Sequence, residues 1–181
     1  MIEIPFLLTE AVFTAVWLLL RLAVWVKNRQ IDWKREAVLL LMYINLAVMI
    51  RFTFFPMALL NGKVQPLLFD PETMLPFRLN LVPFVHLLDY DSRRDLLLNV
   101  LGNFCMFIPS GIVLPVVYKK LNGFWKVVGA GALISLGFEL LQLPFSERAS
   151  DVDDLLLNIA GVIVGYAFYS LVKRPAKSIC A

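Results

Sequence analysis

Long apolar runs, each opened or closed by charged residues, set the rhythm of this chain. Five of them are long enough to cross a bilayer as a helix, which takes about 20 residues, roughly 17–25. They cover about 4–26, 37–55, 96–118, 127–145 and 155–172. The pattern predicts an all-α fold, an integral membrane bundle of about five transmembrane helices. Residues 1–60 hold the first two helices, 61–95 an extracytoplasmic connection, 96–172 a three-helix core and 173–181 a cytoplasmic tail. The connection has prolines at 66, 71, 76 and 83, and another at 56 just precedes it. Its Leu67, Leu68, Phe69, Phe77, Phe84, Leu87 and Leu88 predict a partly ordered segment lying on the membrane surface or tucked against the bundle.

Polar positions inside the apolar runs follow helical spacing. Residues at i, i+4 and i+7 share one stripe of a helix. DLLLNVLG at 95–102 puts Asp95, Asn99 and Gly102 on one stripe, with Asn103 beside them. DLLLNIAG at 154–161 does the same for Asp154, Asn158 and Gly161, with Asp151 one turn earlier and Gly165 one turn later. The fourth run carries Ser135, Glu139 and Gln142 on a single stripe. All three stripes sit near the same end of their helices, which predicts one shared polar site. The glycines let helix backbones approach closely, and Pro109 within FIPSG predicts a kink in the third helix.

Composition agrees with the pattern. Of 181 residues 60% are hydrophobic and 17% charged, and mean hydropathy is +0.76, where a soluble domain carries about 25% charged residues. The net charge of +3 comes from three basic clusters rather than one patch, so no nucleic-acid partner is expected. Those clusters are Lys27–Arg29–Lys34–Arg35, Lys119–Lys120–Lys126 and Lys173–Arg174–Lys177. Lys and Arg concentrate in cytoplasmic loops, so five helices predict a multi-pass protein of the cell membrane with N-out, C-in topology. Most acids then fall outside. The first run begins with Glu3 on its flank and is read as a retained helix rather than a cleaved signal.

The chemistry these residues suggest is that of a carboxylate site. Glu139 lies within a membrane span, where an ionisable group costs about 2.5–3.5 kcal/mol on insertion scales and is a functional candidate by default. Arg148, Arg51 or the Arg93–Arg94 pair are candidate counter-charges. Glu139, Asp154 and Arg148 are candidate catalytic groups for acid, base or phosphate-holding roles. Asp95, Glu139 and Asp154 are candidate ligands for a hard divalent cation, and no other cofactor is expected. The competing structural reading is that these residues are interhelical glue and helix caps. His86, alone in the connection, is accounted for as a packed or surface residue. Cys105 lies about 80° off the polar stripe of its helix, which argues against a Cys–His–Arg reaction centre.

Four blocks carry a resemblance. NLVPF at 80–84, LNVLGNFCMFIPSGIVLP at 98–115, SLGFELLQ at 135–142 and RASDVDDLLLNIAGVIVGY at 148–166 together resemble the VanZ-like family, over about residues 80–166. The resemblance carries Asn80, Pro83, Phe84, Asn99, Asn103, Phe107, Pro109, Gly111, Glu139, Gln142, Arg148, Asp151, Asp154, Asn158, Gly161 and Gly165 as the family's pattern. From these, Asn80, Asn99, Asn103, Glu139, Gln142, Arg148, Asp151, Asp154 and Asn158 are the expected ligand-binding set. The family's namesake implies a role in resistance to teicoplanin, a lipid-tailed glycopeptide, and does not imply a reaction. The expected function is an outward polar pocket that binds or modulates a lipid-like envelope ligand. Expected partners are membrane lipids, a lipoglycopeptide or a lipid-linked envelope precursor. The alternatives are an intramembrane enzyme acting on an envelope lipid headgroup and a structural partner of another membrane protein.

Overall fold

The computed structural model describes residues 2–55, 59–60, 62–72, 79–85, 92–145 and 150–173. Five helices long and apolar enough to cross a membrane account for most of it: α1 (Phe6–Asn28), α2 (Trp33–Phe54), α3 (Arg93–Val117), α4 (Phe124–Gln142) and α5 (Val152–Lys173). Their ends follow local chemistry. Asp32 accepts from the Arg35 amide at 3.1 Å to start α2. Ser92 Oγ accepts the Asp95 amide at 3.1 Å and donates to the Asp95 carboxylate, a cap that starts α3 three residues before the apolar run does. Extended Gly123 precedes α4, so that helix begins and ends three residues earlier than the apolar run at 127–145.

The tightest packing in the bundle is between α3 and α5, and small residues set it. A Cβ on Gly161 would strike the carbonyl of Phe104, and one on Gly165 the carbonyl of Ile108. From the other side, Gly111 lies against the Val162 carbonyl and the Tyr166 amide. Lipid chains are as apolar as leucine, so close backbone contact, rather than expulsion from water, holds such helices together. Helix α4 rests on α5 through Gly131 against the Val162 side chain. Helix α2 rests on α3, where the Asn45 amide donates to Ser110 Oγ at 2.8 Å in a fully buried node. By contrast Gly129 and Gly137 have open space where a Cβ would stand. Replacing either by Ala is expected to leave the fold intact and to add up to about 1 kcal/mol of helix stability, read as a higher midpoint in detergent unfolding.

Helix α1 is peripheral and buries no residue. It leans on α2 through Phe13 stacked on Tyr43 (5.4 Å, 11°), a Thr14–Tyr43 hydroxyl contact of 2.8 Å and a two-bond Arg21–Glu36 ion pair.

The connection contributes strands, which the apolar pattern does not foretell. β1 (Ile2–Ile4) pairs antiparallel with β4 (Leu67–Phe69). β2 (Leu59–Leu60) and β3 (Lys63–Val64) form a hairpin around Gly62 at φ +74°. β5 (Leu79–Asn80) pairs parallel with β6 (Ser150–Asp151), and Phe69 bridges to Phe145. All of them gather where α1, α3 and α5 begin and α2 and α4 end. Lys27, Lys34, Arg35, Lys119, Lys120, Lys126 and Lys173 mark the opposite end. The bundle therefore has a strand-capped end and a basic end.

Candidate functional site

At the strand-capped end, α4 presents one polar stripe to its neighbours. Ser135, Glu139 and Gln142 are spaced four and three apart, so they stand above one another, and all three are buried. The Asn158 amide of α5 donates to Ser135 Oγ at 2.8 Å, about 10 Å along the helix from Gln142. Above this pair, Glu139, 4% exposed, accepts the backbone N–H of Asp151 at 3.1 Å. Gln142 donates to the carbonyl of Thr53 at 2.9 Å, a group that the end of α2 leaves unpaired. The stripe thus ties α4 to α5 and to α2 with one bond at each level.

The first turn of α5 is laced to the connection. Asp151 Oδ1 accepts from the Asp153 amide at 2.8 Å and so caps the helix. Both Asp151 oxygens also take the Asn80 amide, at 3.1 and 3.0 Å. The parallel β5–β6 register, with Asn80 opposite Asp151, makes that contact. Asn80 in turn accepts from the Val82 amide at 3.2 Å. The chain then turns through Phe84 at φ +66°, and the Phe84 N–H meets both oxygens of Asp153 at 3.0 Å. Three carboxylates at the N-cap and first turn of a helix also sit well with its dipole. Asp154 accepts from the Asn103 amide of α3 and lies within electrostatic range of Glu139, Asp151 and Asp153. Asn80→Asp would set a carboxylate against Asp151 and remove its amide donor. The amides of 79–82 and 84 are then expected to exchange with deuterium at least about tenfold faster, the equivalent of about 1.4 kcal/mol.

The structure brings together Asn80, Asn103, Glu139, Gln142, Asp151, Asp154 and Asn158 of the expected ligand-binding set. Asn99 is half-buried one turn before Asn103. Asp95 is elsewhere: it is exposed and bound to Ser92 Oγ at 2.7 Å, serving the α3 cap. Gly102 and Cys105 face an apolar groove between α2 and α3 rather than α5. The matching strings therefore present different faces. The face α3 turns to α5 is fixed by Phe104, Ile108 and Gly111, about half a turn round the helix from the Asp95–Gly102 stripe. Arg148 and His86 lie outside the described residues. Among the described residues, no three His, Cys, Asp or Glu side chains are grouped to hold a metal ion. The carboxylates of Asp151 and Asp153 are instead taken up by amide donors. Sequence reasoning missed Asp153, which is 6% exposed; its role depends on the positive φ of Phe84, for which the residue type gives no sign.

Five apolar helices with a buried polar cluster at one end define a multi-pass helical membrane protein. The chain belongs to the VanZ/LLP1 family, whose model matches residues 38–173 and so takes in α3–α5 and most of α2. Protein VanZ of Enterococcus faecium is 33% identical over 96 residues, 53% of this chain and 55% of that protein. The matched stretch thus spans about half the length of that relative. No solved structure matches the chain.

Proposed function

We propose that the polar cluster is an outward-facing pocket that engages the head of a lipid-like envelope ligand, and that through it the chain contributes to teicoplanin resistance. The observation that carries this reading is Glu139, buried in a spanning helix among Asn158, Asp151 and Gln142. A carboxylate at that depth is costly, which supports a functional role for it. Two further features support it. The Lys and Arg residues of the basic end support a cytoplasmic position for that end, and with it a cluster that opens outward. On the other side of α4, a groove of about 850 Å³ runs between α1, α2 and α4. Leu8, Val12, Ile50, Phe54, Phe138 and Leu141 line it, and Phe145 and Phe69 close its strand end. It suits an acyl chain.

A glycopeptide-sensitive Gram-positive host expressing the chain should tolerate more teicoplanin while its response to vancomycin, which lacks the tail, stays the same. Unchanged teicoplanin sensitivity at confirmed expression would contradict the drug-related part of this reading. The second reading, an intramembrane enzyme on an envelope lipid head, draws on Glu139 and Asp154 lying within electrostatic range of each other with different hydrogen-bond partners. It requires that expression change the host's extracted lipids, and an unchanged lipid profile would end it.

A further inference from the structure

We infer that the head group this pocket takes is an ammonium rather than a phosphate. The inference rests on the pocket reading above and deepens it. It starts from two buried acceptors left without partners. Gln142 is 6% exposed and Asn158 3%, yet Gln142 Oε1 and Asn158 Oδ1 have no hydrogen-bond partner. Gln142 is held in this orientation because its amide nitrogen donates to a carbonyl, which accepts only. The two orphaned oxygens bracket Glu139, one turn to either side along the α4 stripe and its Ser135–Asn158 rung.

Four side-chain amides and three backbone N–H groups of the pocket, meanwhile, are engaged with the pocket's own groups. The amide nitrogens of Asn80, Asn103, Gln142 and Asn158 point at Asp151, Asp154, the Thr53 carbonyl and Ser135. The backbone N–H groups of Asp151, Asp153 and Phe84 are given to Glu139, Asp151 and Asp153. No Lys or Arg takes part in any of these bonds. What remains is acceptor capacity: two amide oxygens and the carboxylates of Glu139 and Asp154. An ammonium brings three donors, no acceptor and a positive charge. A phosphate brings acceptor oxygens and negative charge, would face the same carboxylates, and meets no Lys or Arg among the described residues of the cluster. A hydroxyl satisfies an orphaned oxygen but leaves the carboxylates uncompensated, so the charge selects the amine.

The full chain in phosphatidylcholine nanodiscs at neutral pH, titrated with dodecylamine, dodecanol and dodecyl phosphate, separates the cases, because the tail is constant. Thermal unfolding reports binding. Dodecylamine is expected to raise the midpoint at a concentration at least tenfold lower than either of the others. That preference should vanish in Glu139→Gln and in Asp154→Asn, each accepted only if it unfolds cooperatively without ligand. Equal or stronger stabilisation by dodecyl phosphate would overturn the inference, as would an amine preference that survives both substitutions. Equal stabilisation by all three tails would overturn the head-group inference and leave the amphiphile site standing. No stabilisation by any of them would remove the site as well.

Discussion

Gly165→Leu is expected to abolish the folded bundle. A Cβ at this position meets the Ile108 carbonyl and comes within 3.0 Å of the Gly111 Cα, so the obstacle is backbone that no rotamer change can move. Overpacking a core with a side chain typically costs about 1–3 kcal/mol, and more where the neighbours cannot shift. Here the cost falls on the α3–α5 contact, which also sets the height and rotation of Asp154 against Asn103 and of Asn158 against Ser135. The measurement is the yield of monodisperse protein after detergent extraction and its unfolding midpoint. Gly129→Leu, at a glycine with open space around it, is the control and should extract like the unsubstituted chain. Normal extraction and an unchanged midpoint for Gly165→Leu would show that α3 and α5 do not meet as described.

If the chain acts as proposed, Glu139→Gln is expected to abolish teicoplanin protection while leaving the protein folded and inserted. The amide oxygen of Gln can still accept the Asp151 N–H, so the link from α4 to the first turn of α5 survives. What disappears is an ionisable group beside Asp154. Glu139→Leu removes both, and is expected to lower stability as well by about 1–3 kcal/mol, because the half-buried Asp151 amide loses its acceptor. The comparison separates a working carboxylate from interhelical glue. Glue predicts that Gln is tolerated in full and only Leu does harm. A working carboxylate predicts that Gln and Leu are equally inactive and differ only in stability. Drug susceptibility and unfolding, measured on the same three chains, distinguish the two outcomes.

The five helices were legible because membrane spans announce themselves by length and apolarity, and α2 and α5 begin and end close to the runs that predict them. The α4 and α5 stripes were legible for a related reason: polar residues in a span turn inward, and Ser135, Glu139, Gln142 and Asn158 are all buried. The copy of the motif on α3 misled, because spacing shows which residues share a face and not which face meets a neighbour. That rotation is set by backbone contact at Gly111, Gly161 and Gly165, and it leaves Asp95 in solvent and brings Asn103 to Asp154. The strands were not legible either. Pieces of two or three residues carry no periodicity, and their pairing joins positions as distant as Asn80 and Asp151. Asn45, which anchors α2 to Ser110, escaped notice as a single polar residue in an apolar run.

The account depends above all on a carboxylate pocket that opens to the cell exterior. Ser150→Cys, in a chain with Cys105 and Cys180 replaced by Ser, puts a thiol in β6 next to the Asp151 cap with little change of shape. Labelling intact cells with a membrane-impermeant maleimide is the direct test. The account predicts that this thiol is labelled from outside, and that a thiol at Lys120→Cys is labelled only after the membrane is opened. The reverse pattern, with Cys at 150 silent until permeabilisation, would put the pocket on the cytoplasmic face and contradict the proposed role.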